Sequence, residues 1–199
     1  MRDALAAAGE EGVLACREFT NGHAAGLELS EVTFQKTAFR KCVFEGCDFS
    51  GAAFYECDFA DCAFLDCRFQ RSFWKDCRIS GSKGDGGDFR RCRFKSGGIR
   101  DSLFRYANFT GSVWERDEIT ETDFTETVFQ ESRFTKMLLK KVNFTKADFF
   151  KAGLKGVDLS GCILDKITLS ETCKELRGAK IHSSQAAVVA SILGIEVTF

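Results

Sequence analysis

Phenylalanine recurs at positions 44, 49, 54, 59, 64 and 69, once every five residues through CVFEGCDFSGAAFYECDFADCAFLDCRF. A helix returns to one face every ~3.6 residues and a strand every ~2, so a strict period of five belongs to neither. Stepping by five in both directions extends the column from Leu14 to Leu169, 32 centres in one register, of which only Ala24 and Gly84 are not large. From Cys42 to Cys92 the residue two before each centre is small, as at Cys42, Cys47, Ala52, Cys57, Ser72 and Gly87. The other three positions are mostly polar or charged. One large and one small inward residue, with three facing water, describe one flat side of a chain that turns a corner every five residues. Four sides close a square coil, and stacked coils bury a continuous core.

The quintets CDFSG, CDFAD, ANFTG, ADFFK and VDLSG resemble the pentapeptide-repeat family, whose consensus is A-(D/N)-L-x-x. The resemblance covers residues 12–171 and implies an all-β solenoid: a right-handed quadrilateral β-helix of about eight coils, followed by a short C-terminal α-helix. At about 4.8 Å per coil the rod is roughly 40 Å long. The chain has no proline, consistent with an unbroken ladder between coils. The weakest coil is GSKGDGGD at 81–88, where Gly84 empties a centre and a local bulge is expected. Residues 1–11 are a tail or a cap, and 172–199 a C-terminal cap.

Ten cysteines raise the question of disulfides or zinc. The dense run is spaced C-x4-C rather than the C-x2-C of zinc sites, and the only histidines are His23 and His182. Eight of the ten fall in the small inward slot, which makes them core filler. Cys42–Cys62, Cys47–Cys67 and Cys57–Cys77 stack one coil apart, but parallel side chains hold their Cβ atoms too far apart for easy bonding, so reduced thiols are expected. The N-terminal MRDALAAAGEEG lacks the apolar core of a secretory signal, and no stretch reaches the ~20 apolar residues of a membrane span. A cytoplasmic protein is expected.

After Leu169 the rule fails, with Lys174 at the next centre. In IHSSQAAVVASILGIEVTF, Ser183 or Ser184 suits a helix N-cap and Gly194 a C-cap, and Ile195 to Phe199 alternate like a short strand. Val188, Val189, Ile192, Leu193, Ile195, Val197 and Phe199 form a stripe too apolar to remain exposed. It caps the last coil, pairs with a second chain, or does both. Family members that end in a short helix and an LGI-type tail are dimers joined at their C-termini, so Leu193-Gly194-Ile195 implies a homodimer through this stripe.

No catalytic constellation, phosphate-cradling loop or cofactor motif is present, which argues against an enzyme and leaves the surface to carry function. Face 1, centred on Leu14, Phe34, Phe54, Trp74, Phe94, Trp114, Phe134 and Leu154, carries eight cations against three carboxylates, net +5, while the other faces sum to −1, −2 and −2. With a formal net charge of −1, direct nucleic-acid binding is disfavoured. Acidic candidates fall in two groups: Glu45, Asp48, Glu56, Asp58, Asp61 and Asp66, and, in ERDEITETDFTE, Asp117, Glu118, Glu121, Asp123 and Glu126. Lys141 and Lys146 stack over Glu121 and Glu126, and Arg68 over Asp48, so these acids either face a partner or pair between coils. An uninterrupted rod of this size is similar to the quinolone-resistance and topoisomerase-poison immunity proteins. That resemblance implies a DNA mimic that binds DNA gyrase or topoisomerase IV and protects it from a fluoroquinolone or a peptide-type toxin. Some such members carry projecting loops, for which this unslipping register leaves no room. The alternative is a non-catalytic scaffold for another protein.

Overall fold

The computed structural model describes residues 1–198, so the expectation on Phe199 lies outside the described residues. Parallel pairing joins residues 20 apart, one coil to the next: Val13 to Thr33, Thr33 to Ala53, and Ala53 to Phe73. Face 1 is a seven-stranded sheet of three-residue strands from Val13–Ala15 to Arg133–Thr135, extended by an eighth rung where Arg133 bridges Gly153. Face 2 is a second seven-stranded sheet, from Glu18–Thr20 to Leu138–Lys140. Face 3 begins as three strands and continues through single bridges such as Lys83 to Leu103 and Leu103 to Asp123. Face 4 is bridges alone, Glu28 to Asp48 through to Asp148 and Thr168. The result is a four-sided parallel β-solenoid with a short C-terminal helix.

The corners explain the period. The residue two after almost every centre adopts a left-handed conformation, with φ of 52° at Lys41, 55° at Asp61 and 50° at Glu121. For residues other than glycine this costs about 1–2 kcal/mol each. The turn is held because each corner N–H donates to the coil above, as from Lys36 to the Tyr55 carbonyl at 2.9 Å and from Asp61 to the Ser80 carbonyl at 2.8 Å.

Inside, rings stack at the coil rise. Along face 4, Phe49, Phe69, Phe89 and Phe109 have successive centroid separations of 4.9, 4.8 and 4.7 Å with nearly parallel planes. The small slot does more than fill space. Cys57 Sγ donates to the Phe34 carbonyl at 3.5 Å, Ser82 Oγ to the Phe59 carbonyl at 3.3 Å, and Thr127 Oγ1 to the Phe104 carbonyl at 2.7 Å. The slot side chain therefore satisfies the centre carbonyl of the preceding coil, which alanine cannot do. Where tryptophan takes a centre, its Nε1 donates to a serine in the slot two before: Trp74 to Ser72 and Trp114 to Ser112, each at 2.8 Å.

The glycine-rich coil does not bulge. Its rungs, Ala63 to Lys83 and Arg68 to Asp88, keep the 20-residue register. The empty centre at Gly84 is filled from the coil above, because the Phe104 ring occupies the space a side chain there would need. Losing an inward side chain is a packing vacancy, not an extra backbone residue, so the ladder has no reason to break.

The two ends differ. Helix α1, Arg2–Glu11, lies over the first coil with Leu5 and Ala8 buried. At the other end the register slips by two: Asp158 bridges Lys180, 22 residues on, after a 3-10 turn at Lys174–Leu176. Leu176 and Ile181 then resume packing against the core. A 3-10 turn at Ser183–Gln185 leads into helix α2, Ala186–Ile192. The turn is capped by His182 rather than by a serine: His182 Nδ1 accepts from the Ser184 N–H and Gln185 Oε1 from the His182 N–H, and Gln185 in turn precedes the first residue of α2. The helix closes at Gly194, φ 75°, with Ile195 N–H donating to the Ala190 carbonyl. Residues 195–198 do not form the expected strand, since no neighbouring edge pairs with them after that turn.

Candidate functional site

Because corner residues point outward and stack one coil apart, the availability of each charge is set by the residue 20 positions later. In coil 6 the stack neutralises. Glu121 pairs with Lys141 at 2.7 Å, Glu126 with Lys146 at 2.8 Å, and Glu118 with Lys140 at 3.8 Å. The hydrogen bond from Lys141 holds the Glu121 carboxyl below its usual value. Asp123 is occupied locally, accepting from the Thr125 N–H at 2.9 Å and from Asn143 Nδ2 at 3.1 Å.

Asp117 belongs to neither group of surface acids. It sits in the inward slot two before Ile119 and is 3% exposed, so it cannot face a partner. Its carboxylate accepts from the Gly97 N–H at 2.8 Å and the Glu115 N–H at 3.0 Å. Burial pushes its carboxyl up to about 6 against those two donors. The slot rule in the sequence already carried this placement.

Coils 2 and 3 are arranged differently. Glu45 meets His23 at 3.3 Å, Asp48 meets Arg68 at 3.6 Å, Glu56 meets Lys36 at 3.9 Å and Asp58 meets Arg40 at 3.6 Å, all exposed or partly exposed pairs. Such solvent-screened pairs hold their carboxylates only weakly. Asp61 and Asp66 are exposed at consecutive corners and, among the described residues, have no ion-pair partner. The residues stacked above them are Gly81 and Gly86, both at positive φ. A side chain at Gly81 would meet the Asp61 carboxylate, while the space beside Gly86 is open. The glycine-rich coil thus leaves the two corner acids beneath it uncovered.

The apolar C-terminal stripe divides. Val188, Val189 and Ile192 pack partly against the core, whereas Leu193, Ile195 and Val197 are 46%, 55% and 40% exposed. No residue of α2 is fully buried.

The cysteines are free thiols, all buried except Cys16. Burial pushes Cys62 and Cys92 up to about 12 and Cys162 up to about 11, so these thiols stay protonated and unreactive at neutral pH. No helix among the described residues is long and apolar enough to cross a membrane.

The family described as pentapeptide repeat region matches residues 17–86, and that of pentapeptide repeats (8 copies) matches 118–156 and 127–165. No curated protein matches the sequence. Among solved structures, QnrB1, a plasmid-mediated fluoroquinolone resistance protein, aligns over 92% of this chain and 100% of its own in one trypsin-treated form, at 22% identity and a TM-score of 0.55. A second trypsin-treated form covers 94% of this chain and 97% of its own, at 22% identity and a TM-score of 0.51. HetL, a pentapeptide repeat protein involved in heterocyst differentiation regulation from the cyanobacterium Nostoc, covers 84% of this chain and 89% of its own at 13% identity and a TM-score of 0.47. At 22% identity the likeness to the two QnrB1 forms speaks for the fold. With repeat matches in both halves of a solenoid built on 20-residue coils, the chain belongs to the pentapeptide-repeat family.

Proposed function

We propose that this rod binds a type II topoisomerase, DNA gyrase or topoisomerase IV, as a DNA-mimicking ligand and protects it from a topoisomerase poison. The observation that carries this reading is the pair of uncovered carboxylates, Asp61 and Asp66, at successive corners of a β-helix in unbroken register there. The weakly held Glu45, Asp48, Glu56 and Asp58 surround them. A rigid rod with outward carboxylates is attracted to a basic DNA-binding surface by the same long-range field that draws DNA. QnrB1, with the same fold along the whole length of the rod, is a fluoroquinolone resistance protein, and its role supports the same reading here.

On this reading the working surface is the acidic edge of coils 2 and 3, and the paired acids Glu118, Glu121 and Glu126 of coil 6 are structural. The exposed Leu193, Ile195 and Val197 join two rods end to end into a homodimer in the cytoplasm. The function is binding, without catalysis.

The test is gyrase supercoiling and cleavage-complex formation, with the full chain titrated in the presence and absence of a gyrase poison. Restored supercoiling with less cleaved DNA is the expected result. No effect on gyrase or topoisomerase IV, at concentrations where the rod is folded, rejects the reading in favour of a scaffold for another protein. Light scattering of a chain lacking 183–199 is expected to show monomers or aggregates, and an unchanged dimer removes the C-terminal interface.

A further inference from the structure

Face 1 and the corner leading into it carry a second charged surface that the acidic edge does not explain. Arg91, Arg93, Arg133, Lys136, Lys151 and Lys155 are all exposed, and among the described residues none has an ion-pair partner. They lie in coils 4 to 8, on face 1 or at its flanking corners, and among the described residues two unpaired carboxylates, Glu131 and Glu171, share the corner column of Arg91 and Lys151. The remaining cations of the wall are engaged: Lys75 with Asp76, and Lys95 and Arg116 with Glu115. At about 4.8 Å per coil, Arg91 and Lys151 stand roughly 14 Å apart along the corner. The coil-3 carboxylates Asp61 and Asp66 bound face 3, on the opposite side of the square. The formal net charge of −1 conceals this separation, because most of the acids that cancel these cations are on other faces.

We infer that this basic wall binds the sugar–phosphate backbone of duplex DNA, without reading its sequence. This goes beyond topoisomerase protection and does not rest on it. Two features favour a nucleic acid over an acidic protein. The cations are spread along a straight ladder rather than converging on a pocket, which matches a polyanion whose charge is distributed along its length. The outward face-1 positions of coils 5 to 8 are Arg93, Lys95, Val113, Glu115, Arg133, Thr135, Gly153 and Lys155, so Val113 is the only apolar side chain on the face itself, and the exposed ring at its edge, Phe150, is covered by Lys151 Nζ at 5.1 Å. Protein interfaces draw their affinity from buried aromatic and aliphatic anchors. A duplex can be held by phosphate contacts and counterion release alone. Three arginines among the six cations suit phosphate oxygens, which a guanidinium contacts in a bidentate manner.

The experiment is fluorescence anisotropy of the full chain with a labelled 20-base-pair duplex of arbitrary sequence, from 50 to 200 mM NaCl. Four to six neutralised phosphates give a slope of log K against log salt of about −3.6 to −5.4, so affinity at 200 mM is lower by a factor of about 150 to 1,800. R93E/R133E/K136E is expected to lower affinity at least tenfold at 50 mM, and the neutral R93S/R133S/K136S to lower it by a smaller factor with an unchanged melting temperature. D61N/D66N is expected to leave duplex affinity unchanged or slightly higher. No binding at 50 mM NaCl overturns the inference, as does binding unmoved by both wall variants. Polyglutamate binding at least as tightly as the duplex also overturns it, in favour of an acidic protein partner.

Discussion

Coils 3 and 6 place acids in the same two corner columns: Asp61 and Glu121 in one, Asp66 and Glu126 in the next. Above the coil-6 acids stand Lys141 and Lys146, at 2.7 and 2.8 Å. Above the coil-3 acids stand Gly81 and Gly86. Composition alone ranks coil 6 as the better DNA mimic, because it is the denser acidic run. Stacking reverses the ranking, since in this fold a charge is free or spent according to the residue one coil on. The glycines leave the 20-residue register intact, although the rung from the Asp88 N–H to the Cys67 carbonyl lengthens to 3.5 Å, and their effect on the surface is to leave acids exposed.

The largest effect should be the same for both coils. Replacing Phe64 or Phe124 with alanine opens a cavity in a fully buried column and is expected to cost about 3–5 kcal/mol in either case. Chemical denaturation measures it, and a much smaller loss at one coil would mean that the cores differ as well as the surfaces.

Next comes Asp117, the inward acid of coil 6, which has no counterpart in coil 3, where the slot is Cys57. Its folded value of about 6 lies above the unfolded value of about 3.9, so the folded protein binds this proton more tightly. Its contribution is therefore fully present below about pH 4 and is lost as pH rises through 6. By linkage the difference is about 2–3 kcal/mol. Asp117→Ser retains a slot hydroxyl of the kind by which Ser82 Oγ accepts from the Cys62 N–H at 2.9 Å. Relative to the parent, this variant is expected to gain stability between pH 4 and 7.5, and parallel stability–pH curves would contradict the buried ionisation.

Smaller still are the surface acids. E121Q/E126Q should lower the melting temperature slightly, because exposed ion pairs are screened by solvent, and D61N/D66N should melt within experimental error of the parent. Equal losses from the two variants would mean that the coil-3 acids are also paired. Gly86→Lys sharpens the contrast: it imitates Lys146, one coil above an acid at the same corner, and should shield Asp66, at a cost of about 1–2 kcal/mol for leaving glycine at positive φ.

Much of this was legible in the sequence. The period of five fixed the centres, the slot and the stacking interval of 20, and the pairs Glu121–Lys141 and Glu126–Lys146 follow from that interval. The expectation of a bulge at 81–88 failed because it treated a missing side chain as a backbone defect, whereas Phe104 packs into the space. The slot hydrogen bonds were missed because size alone explained the cysteines, although Ser-x-Trp at 72–74 and 112–114 was a visible clue. The C-terminal end was the least legible, since a two-residue slip and a His182 cap depend on how the last coil is met rather than on any repeat.

The most direct measurement is protection of gyrase supercoiling against a poison by three proteins side by side: the parent, D61N/D66N and E121Q/E126Q. The parent and E121Q/E126Q are expected to restore supercoiling alike, with D61N/D66N folded but inactive. Activity lost in E121Q/E126Q and retained in D61N/D66N would contradict the assignment of the working edge to coil 3.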